Sequence, residues 1–216
     1  MKNNSPEDIP NIADSMIRYG QKSKAEKLLK EFVSDMPPNW KPATESADSI
    51  EIAFWDMTEF LSYVAHQETS GIEKRVEWVT PSYSKAFYLL AFMAVEREDW
   101  SNAIKYIERG LTLESDHPSL LCEKAMILSR MSRNEEAYGL FVKVVDIRPW
   151  APPGCRARAL RGAAVALIDL KRLDEAEEML KKSLELEPEN EVAKKELSYI
   201  EHLRSGGKPT DKYYLT

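Results

Sequence analysis

The chain has 216 residues, 43% of them hydrophobic, which is enough to bury a core as one extended domain or as a domain with an extension. Its formal charge of −6, from 30 basic and 36 acidic residues, gives no general pull toward nucleic acid or anionic lipid. Cys122 and Cys155 are the only cysteines, too few for a disulfide framework. The first eight residues hold no apolar run of a secretory signal, and no stretch is long and apolar enough to span a bilayer. These features set the expectation of a reduced, cytoplasmic protein with neither a nucleic-acid nor a membrane partner. The charge is uneven: residues 1–83 carry −5 and residues 84–216 carry −1, so the second part can hold local basic patches.

Residues 1–39 read as a helix pair. Ala13 and Ala25 stand twelve apart, Gly20 marks the turn between them, and Pro37 follows twelve later. Ile9, Ile12, Met16, Leu28, Leu29 and Phe32 supply its apolar face. Residues 40–83 read as a linker and an insert that packs on the array. The stretch 37–49, with Pro37, Pro38 and Pro42 among Ser and Thr, is linker-like. Ile50 to Trp55 partly alternates, Asp56-Met57-Thr58-Glu59 has the capping-box pattern that opens a helix, and Arg75 to Val79 alternates again. A small strand–helix–strand unit near residues 50–79 and an all-helical segment both fit, because runs this short do not decide between them. The insert could also serve as a ligand in a groove of its own chain.

From residue 84 a period takes over. Ala91 and Ala103, Ala125 and Ala137, and Ala164 and Ala176 are pairs twelve apart. The first two pairs are offset by 34 residues and the last two by 39, five extra residues falling near Trp150-Ala151-Pro152-Pro153-Gly154. Apolar slots repeat around each pair: Phe87, Leu121 and Leu160 before the first alanine, Ala94, Leu128 and Leu167 after it, and Ile107, Phe141 and Leu180 after the second. The pattern breaks at Arg97 to Asp99, Ser132 to Asn134 and Asp169 to Arg172, and Pro149 and Pro188 fall where a helix should stop. Small residues let two helices approach closely and larger ones fill the space between; one pair cannot bury its face alone, so pairs stack.

On these residues the chain resembles the tetratricopeptide repeat (TPR) family, with repeats at 84–117, 118–151 and 157–190. Lys124, Asn134 and Ser115 depart from the family's usual residues at their positions. The resemblance implies a mainly all-α fold, a right-handed superhelical stack of antiparallel helix pairs (an α-solenoid). Residues 191–205 are expected to form a capping helix, and residues 206–216 a flexible tail.

No constellation for catalysis stands out. His66, His117 and His202 have no metal-ligand spacing, there is no glycine-rich phosphate loop, and neither cysteine sits in a nucleophile context. No cofactor or metal is expected, and no enzymatic activity. The resemblance implies instead that the first helix of each pair lines a concave groove. Carried onto this sequence, the lining is Lys85, Tyr88, Phe92 and Val95, then Ser119, Cys122, Met126 and Ser129, then Arg158, Arg161, Val165 and Ile168. The family's carboxylate clamp uses Lys and Asn at such places. Tyr88, Phe92, Cys122 and Met126 stand there instead, so that clamp is not expected. The candidate partner-binding residues are Lys85, Tyr88, Phe92, Cys122, Met126, Arg158, Arg161 and Val165: an apolar groove with an arginine-lined end, suited to a protein or peptide partner. Two alternatives share these features, a chaperone for secreted or membrane-inserting clients and a self-assembling scaffold. Oligomeric state is open. So is the groove itself, which the insert or the tail could fill.

Overall fold

The structure, a computed structural model, describes residues 8–80 and 82–209. The first residues of the N-terminal pair and most of the expected tail lie outside the described residues. Ten helices and three short strands follow one another along the described chain. The N-terminal pair is α1 (Ile9–Arg18) and α2 (Lys22–Ser34). The insert is β1 (Ala43–Glu45), β2 (Ser49–Ile52), α3 (Met57–Ser70) and β3 (Arg75–Trp78). Three pairs follow: α4 (Tyr83–Glu96) with α5 (Trp100–Leu113), α6 (Pro118–Arg130) with α7 (Asn134–Asp146), and α8 (Pro153–Asp169) with α9 (Leu173–Leu186). The chain then runs into α10 (Glu191–Arg204).

The alanine pairs do what their size predicts. All six, and Ala13 and Ala25 of the N-terminal pair, have no exposed surface. The residue four after each second alanine, Leu29, Ile107, Phe141 or Leu180, is sealed in the same way. The N-terminal pair therefore stands in the same register, and its contacts agree. Helix α1 touches α4 as α4 touches α6 and α6 touches α8. Among the described residues, the second helices α5, α7 and α9 are not in comparable contact with one another. First helices that touch while second helices splay apart bend the stack, and the first helices form its inner, concave face.

The four turns are copies of one another. Seven residues after the first alanine, Gly20, Glu98, Ser132 and Lys171 all have positive φ, between 57° and 76°. In each turn the next N–H donates back to the carbonyl five residues earlier: Gln21 to Met16 at 2.8 Å, and Asp99 to Ala94, Arg133 to Leu128 and Arg172 to Leu167 at 2.9 Å. This is the glycine-type helix stop, met here three times without glycine. A Cβ on Gly20 would meet no atom within 4 Å, so only backbone conformation resists a side chain there. Gly20→Ala is expected to cost about 1 kcal/mol, read as a lower urea midpoint with an unchanged slope. Helix α10 ends with the same device at Gly206, and Asn190 caps its start by accepting from the Ala193 N–H at 3.0 Å.

The insert is a strand–helix–strand unit, which decides between the two readings that the sequence allowed. Strands β2 and β3 pair in parallel, with α3 as the crossover, and β1 adds antiparallel to β2. Strand β1 corrects the reading of 37–49 as linker alone; it is only three residues long and wholly exposed, so its sequence carries no alternation. The unit leaves the array after α2 and returns at α4, and it lies along the edge where the first helices begin.

Candidate functional site

The insert is fastened to the array through Trp55. This residue sits at the end of the sheet, just before the predicted cap, and Asp56 accepts from the Glu59 N–H at 2.9 Å. Glu59 completes the turn by accepting from the Trp55 N–H at 2.8 Å. That holds the indole over the array. Its ring stacks on His117 with centroids 3.7 Å apart, and its N–H is shared between Ser84 Oγ and Glu114 Oε1, each at 3.3 Å. The Trp55 carbonyl accepts from Lys85 Nζ at 2.7 Å.

Beneath it lies a buried charge cluster. Arg148 donates to Glu59 at 3.3 Å, to Glu114 at 3.2 Å and to Asp116 at 2.7 Å, and its guanidinium lies 4.8 Å from the Trp150 ring. Burial works against ionisation of Glu59, but His117 beside it, the Trp55 N–H and Arg148 outweigh that and hold its carboxyl below the ordinary range. Asp116 is held low in the same way, burial being overcome chiefly by Arg148. The Trp150-Ala151-Pro152-Pro153 stretch, where the extra residues of the period fall, clasps the insert: the Trp150 ring meets Tyr63 at 5.1 Å and Phe54 at 6.5 Å. None of this cluster was foreseen. One signal was available, since Glu114, Arg148 and Glu187 all stand eleven after the second alanine of their pairs, an ionisable residue just past the second helix in each of the three pairs from residue 84 on.

The concave face holds two hollows. The N-terminal one, about 390 Å³, lies between α1 and α4, with Lys85, Tyr88 and Phe92 in its wall and Trp55, Asp56 and Ser119 at its rim. The C-terminal one, about 270 Å³, is lined by Met126, Arg158, Arg161 and Gly162 with Asn190 and Val192 of α10. Arg158 ties them together: it lies against the Tyr88 hydroxyl, donates to Glu123 at 3.2 Å and touches Met126 Sδ. Burial pushes the Glu123 carboxyl up, and Arg158 only partly offsets it.

Five of the eight residues expected in the groove, Tyr88, Phe92, Met126, Arg158 and Arg161, line these hollows and are partly exposed. Two do not: Cys122 and Val165 are 1% and 2% exposed. Successive first helices approach so closely that small or branched residues on their facing sides become core. Cys122 packs with Leu121, Phe141 and Ala159, and burial pushes its thiol up to about 12. Ile168, beyond Val165, packs with Ala193 and Ile200, so α10 covers that end. Lys85 lines the first hollow, but its ammonium is turned to Asn11 and the Trp55 carbonyl. The arginine handle is also engaged, since Arg161 donates to Glu187 at 2.6 Å and to Ser183 at 3.2 Å. Among the described residues no group of three or more His, Cys, Asp or Glu could hold a metal ion, and no helix is long and apolar enough to cross a membrane.

Comparison with known proteins agrees with this geometry. The family model described as "Tetratricopeptide repeat" matches residues 157–190. No curated protein sequence matches the chain. PilF of Pseudomonas aeruginosa is 15% identical with a TM-score of 0.63, covering 92% of this chain and 68% of its own. Residues 41 to the end of MamA from Desulfovibrio magneticus RS-1 are 16% identical with a TM-score of 0.57, covering 95% and 88%. The first TPR of Spaghetti (RPAP3), solved bound to the HSP90 peptide SRMEEVD, is 20% identical with a TM-score of 0.51, covering 58% of this chain and 97% of its own. The chain is thus a tetratricopeptide-repeat solenoid by fold, and its residues 157–190 are a tetratricopeptide repeat by sequence as well.

Proposed function

We propose that this chain is a non-enzymatic protein-interaction scaffold that takes a peptide segment of a partner along its concave face. The observation that carries this reading is the floor of that face. Tyr88, Phe92 and Met126 remain partly exposed there, on rigid helices, between two hollows of side-chain size. Apolar anchors in preformed hollows with polar groups at their rims suit an extended or helical peptide. Neighbouring first helices lie about 8–10 Å apart, so the span from α4 to α8 accommodates about six extended residues. The Spaghetti (RPAP3) repeat array, of the same fold, was solved with a peptide bound. The mode differs here, because Trp55 walls one side and the arginines are already paired within the chain.

The test is affinity capture from the native cell followed by binding of the captured partner to purified variants. Tyr88→Ala, Phe92→Ala and Met126→Ala combined should weaken binding at least tenfold while the protein keeps its helical circular dichroism. Lys105→Ala and Lys143→Ala, exposed on the second helices α5 and α7, should leave it unchanged. Equal binding by both sets would refute the groove.

A further inference from the structure

We propose that the cleft between the insert and the starts of α6 and α8 is a subsite for a basic side chain, an arginine or lysine of the peptide that the groove takes. This inference rests on the groove reading for the identity of the peptide, but the cleft itself does not. It measures about 280 Å³ and is lined by Trp55, Asp56, Glu59, His117, Trp150 and Cys155 among others. That lies just below the 300–1,000 Å³ of sites for drug-sized ligands and matches a single side chain. Trp55, Asp56 and Ser119 line both this cleft and the N-terminal hollow of the groove, so a peptide in the groove can send a side chain into it.

The charge balance selects a cation. In the buried cluster behind the cleft Arg148 faces the three carboxylates of Glu59, Glu114 and Asp116, and the only other basic group against them is the His117 ring beside Glu59. Asp56 adds a fourth at the mouth; it is exposed, and only its Oδ1 is used in capping α3. The neighbouring cations are directed elsewhere. Lys85 points to Asn11 and the Trp55 carbonyl, and Arg156 donates to the carbonyls of Arg148 and Pro149. A second, independent observation points to a ligand. His117 is 3% exposed and lines the cleft; its Nε2 is paired with Glu59 Oε1 at 3.2 Å, and its Nδ1 has no partner. Buried polar atoms are seldom left so. An unprotonated imidazole nitrogen can accept an N–H from an arriving guanidinium or ammonium. Trp55 and Trp150 supply aromatic surface that favours the same charge, as Arg148 over Trp150 already shows.

The experiment titrates the full chain at pH 7.5 with three probes, N-acetyl-arginine methylamide, N-acetyl-lysine methylamide and N-acetyl-glutamate methylamide, while following the indole N–H resonances of Trp55 and Trp150. Saturable shifts with the arginine or the lysine probe, and none with the glutamate probe, are expected. Asp56→Asn keeps a good helix cap and removes the charge. It should raise the dissociation constant of the basic probe at least fivefold, with the remaining resonances in place. Absence of saturable shifts with both basic probes, equal shifts from the acidic probe, or unchanged affinity in Asp56→Asn would each overturn the proposal. If a basic probe binds here while the groove variants keep their partner, the groove reading fails and the subsite stands. If the groove variants lose the partner and no basic probe binds, the reverse holds.

Discussion

Arg148→Met is expected to destabilise the protein by about 3–5 kcal/mol and to loosen the insert first. Methionine keeps most of the volume and removes the guanidinium that faces Glu59, Glu114 and Asp116. Those carboxylates are then left close together, with Glu59 and Glu114 buried. The other fastenings of the insert centre on Trp55: its stack on His117, its indole N–H to Ser84 and Glu114, and the Lys85 bond to its carbonyl, with the Trp150 clasp that Arg148 itself supports. Hydrogen exchange should therefore rise across 50–79 more than in α8 and α9. The pH dependence follows from the same contacts. Glu59 and Asp116 have folded pKa values below their unfolded ones. Their contribution is fully present above about pH 5, beyond the unfolded range, and is lost as pH falls through the lower folded values. Without Arg148 both carboxyls rise toward their unfolded values, so this contribution shrinks at neutral pH and the weaker fold should reach its acid midpoint at a higher pH. Near-UV circular dichroism of the buried Trp55 during acid titration measures this. An acid midpoint and a urea midpoint equal to those of the native chain would show that the cluster does not hold the insert.

Phe141→Ala is expected to cost a further class of energy, about 3–5 kcal/mol from lost burial and an unfilled cavity. Phe141 is 1% exposed and packs with Leu121, Ala125, Ala137, Ala159 and Ala163, the contact between the second and third repeats. Its ring lies directly over Gly162, where an added Cβ would overlap the ring. Gly162→Ala gains about 1 kcal/mol of helix propensity but must displace a sealed ring, so a net loss of about 1–3 kcal/mol is expected. The two substitutions should couple, since the cavity left by the ring admits the new methyl. The double variant should lose less than the sum of the singles, a coupling of at least about 0.5 kcal/mol in urea denaturation. Strict additivity would mean that ring and glycine do not share this space.

The solenoid was legible because its signal repeats. Alanines twelve apart mark the close helix contacts, and each recurrence reinforces the others. The same spacing at Ala13 and Ala25, with Gly20 at the turn, Pro37 beyond it and an apolar face, marks the N-terminal helix pair. The insert's parallel pairing was half legible: β2 and β3 alternate, while the exposed three residues of β1 do not. The site was the least legible part. Cys122 and Val165 occupy groove positions in register, but helix spacing, which no local pattern encodes, decides whether such a position faces the groove or the next helix. Glu59, Glu114 with His117, and Arg148 come from three separate segments, and only folding brings them together. Trp55 read as the end of a strand and not as the wall of a groove, because nothing local says where a tryptophan before a helix cap will point.

If the concave face receives the partner, its floor must lie within reach of the bound segment. A photo-crosslinking amino acid at position 126, in the floor of the groove, compared with one at position 142, where Val142 is exposed on α7, tests it most directly. With the captured partner present, crosslinks from position 126 to one short segment of that partner, and none from position 142, are the predicted result. Crosslinks from position 142 alone, or from both positions to scattered segments, would contradict it.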